Sequence, residues 1–105
     1  MFDKNKMKII ALERSNRQGK RLQAFFDDGR TFHFGSKGAI TYVDGATLAK
    51  RDSYLKRHGA NEKEKYLTDN LIPSPALLAA YLLWNTNDLG ENIKILNRLL
   101  AENKR

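Results

Sequence analysis

Apolar positions change their period partway along the chain, and the change divides it in two. Residues 7–13, Met-Lys-Ile-Ile-Ala-Leu-Glu, have strand character. Residues 21–27, Arg-Leu-Gln-Ala-Phe-Phe-Asp, alternate. Leu22, Ala24 and Phe26 fall on one face, with Gln23, Phe25 and Asp27 on the other. Residues 30–34 repeat the alternation, with Phe32 and Phe34 together and His33 opposite. The polar stretch 14–20 suits a hairpin loop. Asp28-Gly29 is a two-residue hairpin signal that predicts a type I′ turn with positive φ at both positions. The first third therefore predicts an antiparallel three-stranded meander.

Gly35-Ser36-Lys37-Gly38 reads as a turn, and 39–43 as either a short fourth strand or an extended connection. Beyond it the period becomes helical. Asp44 or Thr47 can cap a helix over 47–58, with Gly59 as its stop. Residues 60–72 read as polar and irregular. Ser74-Pro75 opens a helix that is apolar nearly all round, which predicts a central buried helix. Asp88 with Glu91 three residues on resembles a capping box, and Leu89, Ile93, Leu96 and Leu100 follow at helical spacing. The predicted fold is α+β: one domain over 1–105, with a basic β-meander over 1–43 and a helical part over 44–105 holding about three helices.

Composition narrows the classes of function. With 105 residues the chain suits a single core. It has no cysteine, so disulfide frameworks and thiolate metal sites are excluded. No apolar run approaches the roughly 20 residues of a membrane span. Met1-Phe2-Asp3-Lys4 leads into no apolar stretch, so no signal peptide is expected. The net charge is +7, and +5 of it lies in residues 1–38. Arg14, Arg17, Lys20 and Arg21 surround the first hairpin, with Lys4, Lys6 and Lys8 close in sequence. This cluster is the candidate partner- or phosphate-binding site. Solvation, an acidic protein partner and nucleic acid are its three readings. Phe25 and His33 would stack on bases if their face is open.

Catalytic and cofactor signals are thin. His33 and His58 have no ligand spacing around them, so no metal site is predicted. Ser53, His58 and Asp52 are close in sequence, but Ser53 and His58 would not face each other round a helix. Gly29 to Lys37 fails the phosphate-loop spacing, and Gly35-Ser-Lys-Gly38 lacks the helices that flank a KH loop. No catalytic residue and no cofactor is expected. Arg51, Asp52 and Glu62 are candidate ion-pair partners joining sheet to helices, and Trp84 reads as core.

One ordered series stands out: Phe34-Gly35, Gly38, Tyr42, Arg51, Tyr54, Arg57-His58, Asn61-Glu62, and Leu83-Trp84. It resembles a family of short proteins encoded by large DNA viruses of algae and protists, over about residues 32–100. Thr41 stands where that family usually has aspartate, and Lys63-Glu64 where it has a tryptophan. The resemblance implies no enzymatic activity. It implies a virus-encoded accessory or virion protein; with the missing catalytic set and the localised charge, the expectation is a non-enzymatic structural protein, such as a minor capsid, cement or other virion-associated component, placed in the virion or the infected-cell cytoplasm. Other virion or capsid proteins would then be its partners. The alternative is a basic nucleic-acid-binding protein that packages or regulates viral DNA.

Overall fold

The computed structural model describes residues 7–103; Phe2, Lys4 and Lys6 lie outside them. Three antiparallel strands come first, β1 (Ile9–Arg14), β2 (Lys20–Phe26) and β3 (Thr31–Ser36), in the order β1-β2-β3. Leu12, Ala24 and Phe32 pair across the sheet, as do Arg14, Leu22 and Phe34. Alternation therefore sends Ala24, Phe26 and Phe34 into the core, while Phe25 and His33 sit half-buried on the other face. A bulge between Ile9 and Ala11 breaks the β1 pattern and leaves Ile10 exposed.

The second hairpin turns differently from its Asp-Gly signal. Gly29 N donates to Phe26 O at 3.0 Å and Phe26 N to Arg30 O at 2.9 Å. Only Gly29 has positive φ, at 92°. Asp27 and Asp28 are therefore the centre of an ordinary four-residue turn, and Gly29 supplies the left-handed residue that closes it as a bulge. A type I′ turn is ruled out because Asp28 keeps negative φ. The three-residue loop keeps Phe26 and Phe34 on one side of the sheet.

Residues 39–43 form a connection rather than a strand, ending in a 3₁₀ turn, Tyr42–Asp44. Four helices follow: α1 (Leu48–Ala60), α2 (Glu62–Asp69), α3 (Pro75–Leu78) continuing as a π-helical stretch Ala79–Leu83, and α4 (Leu89–Glu102). Thr47, Ser74 and Asp88 cap α1, α3 and α4 through their side-chain oxygens. Gly59 does not stop α1. The helix runs to Ala60 and ends at Asn61, whose side chain turns round to accept from Glu64 N and start α2. The segment read as irregular is thus helical over 62–69. Its weak apolar pattern hides a helix that capping and packing on α1 and α3 support.

Leu77, Leu78, Leu82 and Leu83 meet the sheet's buried face, and Leu96 and Leu100 of α4 complete the core. Two asparagines lock α4 in place. Asn92 is fully buried and donates to Leu82 O and Thr86 O at 3.0 and 3.1 Å. Asn97 accepts from Ile9 N at 2.8 Å and donates to Ile9 O at 3.2 Å. The second contact joins the first strand to the last helix.

Candidate functional site

The basic hairpin splits into two kinds of cation. Arg21 points back along the molecule and grips Asp44, with Nη1 and Nη2 each 2.6 Å from a carboxylate oxygen. Asp44 Oδ2 also accepts from Thr41 N and Thr41 Oγ1, at 2.9 and 2.8 Å. This bidentate clamp ties β2 to the 3₁₀ turn. It holds the Asp44 carboxyl well below the usual carboxylate range, chiefly through the Arg21 hydrogen bonds. Arg14 and Arg17 are exposed, and Lys20 is half-buried; none has an ion-pair partner among the described residues. The tip between them is pinned. Ser15 Oγ accepts from Arg17 N at 3.0 Å and lies 2.7 Å from His33 Nδ1, while Lys20 N donates to Arg17 O at 3.1 Å. Of the four predicted binding residues, Arg21 thus has an internal structural role that its sequence context did not reveal.

The ordered series assembles into a brace between α1 and the end of α3. Phe34 lies fully buried in the core. Gly35 has φ 78°, which favours glycine, and a Cβ there would come to 3.0 Å from Leu83 Cδ1, so the leucine end would have to give way. Gly38, at φ 88°, makes the turn after β3. The Arg51 guanidinium lies 5.7 Å from the Tyr42 ring centroid, and its Nε donates to Asn85 O at 2.9 Å. Its ion pair is with Asp52, at 3.1 Å. Tyr54 stacks on Trp84, with centroids 4.5 Å apart and planes at 8°, and on His58 at 5.9 Å. Burial, reinforced by the Glu64 charge, raises the Tyr54 phenol above its ordinary pKa. Trp84 is half-buried at the rim of the core rather than inside it.

His58 is the buried polar centre of this brace. Its Nε2 is 2.5 Å from Thr68 Oγ1. Its Nδ1 is 2.9 Å from Glu64 Oε1, outside hydrogen-bond alignment. Glu62, the predicted acid, is exposed on the first turn of α2 and joins no ion pair among the described residues. Glu64 takes that place because the break at Asn61 rotates α2 back over α1. Asn61 followed three residues later by Glu64 is a helix-start signature, and it is the one signal that would have pointed there.

A groove of about 590 Å³ runs between the loop end of β2 and these helices. Lys20 lines its sheet side, Arg57 and Glu64 its α1–α2 side, and Tyr54, Ala79 and Trp84 its floor. A smaller cavity of about 230 Å³ continues from it past Tyr54 and Arg57 towards His58 and Asn61. Among the described residues, no cluster of three or more His, Cys, Asp or Glu is placed to hold a metal ion.

A three-stranded sheet with a charged hairpin, followed by four helices, defines a small α+β protein. Residues 10–58 match a family of unknown function, DUF5754. The chain is 34% identical over 80 residues to the uncharacterized protein L851 of Acanthamoeba polyphaga mimivirus, which covers 71% of this chain and 80% of that relative. The chain belongs to the family that this giant-virus protein represents. No solved structure matches it. No helix among the described residues is long and apolar enough to cross a membrane.

Proposed function

We propose that this is a virus-encoded, non-enzymatic structural protein, a minor capsid, cement or other virion-associated component that works by protein–protein contact. The observation that carries the reading is the division of cations at the hairpin. Arg21 holds the loop to Asp44, and Arg14, Arg17 and Lys20 have no ion-pair partner among the described residues on a fixed frame. A preorganised set of charges loses little freedom on meeting an acidic surface, which favours binding and steers encounter. The viral relative supports the setting. The non-enzymatic reading is supported by how the histidines are used. His58 packs between Tyr54, Thr68 and Glu64, and His33 engages Ser15.

Mass spectrometry of purified virions tests this. The protein should co-purify with capsid proteins at a constant ratio across density fractions. Its absence from virions, with abundant protein in infected-cell lysate, overturns the proposal.

The nucleic-acid reading has one observation of its own: Phe25 and His33 lie half-buried on the sheet face turned away from the helices. It predicts affinity that falls steeply with salt, and loss of binding when Arg14, Arg17, Lys20 and Arg21 are all replaced by alanine. Salt-independent or undetectable binding removes it.

A further inference from the structure

We propose that the groove between the loop end of β2, at Lys20, and helices α1 and α3 receives an acidic peptide segment carrying one large apolar side chain. The proposal rests on the protein-contact reading above and names the chemistry of the partner.

Three features of the groove converge on that occupant. The first is charge. Lys20 and Arg57 face it from opposite elements, and neither has an ion-pair partner among the described residues. The acid in the lining, Glu64, is drawn aside to within 2.9 Å of His58 Nδ1. The lining thus sets two cations against one carboxylate, and an acidic ligand complements the excess. The second is the floor. Tyr54, Trp84, Leu83 and the short side chain of Ala79 form an apolar base at which a large side chain would lose its water. Trp, Tyr and Arg around a desolvated pocket are the residues that concentrate binding energy at protein interfaces. The third is size: about 590 Å³ exceeds the needs of a lone anion and falls within the range of well-formed ligand clefts.

The same geometry argues against a nucleic-acid strand. Sequential bases need several free aromatic faces. Here Tyr54 and Trp84 are stacked on each other, 4.5 Å apart, and form one platform. A free phosphate or other small anion would leave the apolar floor unfilled.

Trp84 is the chain's single tryptophan, so its emission reports directly on the groove. Three synthetic peptides of about twelve residues would be titrated: one rich in Asp and Glu with a central Phe, one with that Phe replaced by Ser, and one with Lys in place of the acids. The acidic Phe peptide should shift Trp84 emission and the amide resonances of Gly35, Ala76 and Ala79. Removing the Phe, or making the double variant K20E/R57E, should weaken binding about tenfold or more. The double variant R14E/R17E, at the exposed tip, should change it less than about threefold. The lysine peptide should not bind. All four substitutions lie at exposed or half-exposed positions, so the fold is kept.

An acidic Phe peptide that leaves Trp84 and these amides unmoved at millimolar concentration overturns the proposal. So does binding that R14E/R17E abolishes and K20E/R57E spares. A single-stranded oligonucleotide that displaces the peptide and moves the same amides more strongly also overturns it, in favour of nucleic acid. The two readings fail separately. Groove binding by a protein missing from virions removes the virion role alone, and a virion protein with an inert groove removes this proposal alone.

Discussion

Arg14 and Arg21 bound the same hairpin, yet one is exposed and unpaired while the other is locked to Asp44 by two bonds of 2.6 Å. The contrast extends to the two regions they represent. At the tip, cations outnumber partners, and the Ser15 hydroxyl with backbone bonds fixes the loop. In the brace between α1 and α3 the groups turned inward meet partners, Arg51 with Asn85 and Tyr42 and His58 Nε2 with Thr68, while Arg57 stays exposed without an ion pair among the described residues. Charge counted along the sequence singles out the hairpin but does not tell Arg14 from Arg21. What separates them is whether the fold delivers a partner, and groups left without one are where a ligand gains most.

Breaking the brace should have the largest effect. Trp84→Ala removes the stack on Tyr54 and part of the core's rim. It should cost roughly 2–4 kcal/mol, read as a lower urea midpoint with an unchanged m-value. A loss under about 0.5 kcal/mol would mean that the brace holds nothing together.

Opening the clamp comes next. Asp44→Ala leaves Arg21 and Thr41 without their acceptor. It should cost about 1–2 kcal/mol at neutral pH, since solvent screens part of the pair. The pH dependence has a definite sign. The folded Asp44 carboxyl is held below its ordinary value, so its contribution is full above about pH 4. The contribution fades as pH falls below that, once the unfolded chain takes up a proton the folded one resists. Urea midpoints from pH 6 to pH 2 should therefore fall less steeply for Asp44→Ala than for the parent. Parallel curves would detach the clamp from acid stability.

The smallest effect sharpens the contrast from the other side. Arg14→Ala with Arg17→Ala should change stability by no more than about 0.5 kcal/mol, because neither side chain has a partner to lose among the described residues. A larger loss in thermal melting would show that the tip is structural after all.

The strands were legible because a two-residue period puts Ala24, Phe26 and Phe34 on one face whatever the turns do. The turn itself was not. Asp28-Gly29 fits two loop geometries, and the sheet selects the one that aligns Phe26 with the core. Helix α2 hid behind its polarity; only Asn61 and Glu64 mark its start, and no periodic apolar face announces it. Tyr54, Arg57 and Trp84 were readable as a series, but their convergence was not, since Trp84 comes from beyond two further helices and a π-helical stretch. The Arg21–Asp44 clamp spans 23 residues, and no local pattern encodes it.

The two bonds between Asn97 and the backbone of Ile9 bear on when the molecule folds, as well as on how it is held. The partners lie 88 residues apart. During synthesis at ordinary ribosomal rates, the opening strand waits on the order of 10 s before the helix that secures it exists. Through that interval its margin, with Ile10 facing outward, is open to other strands emerging nearby. The last helix thus acts as a late fastener, and shortfalls in yield from crowded polysomes would trace to that delay rather than to the finished fold.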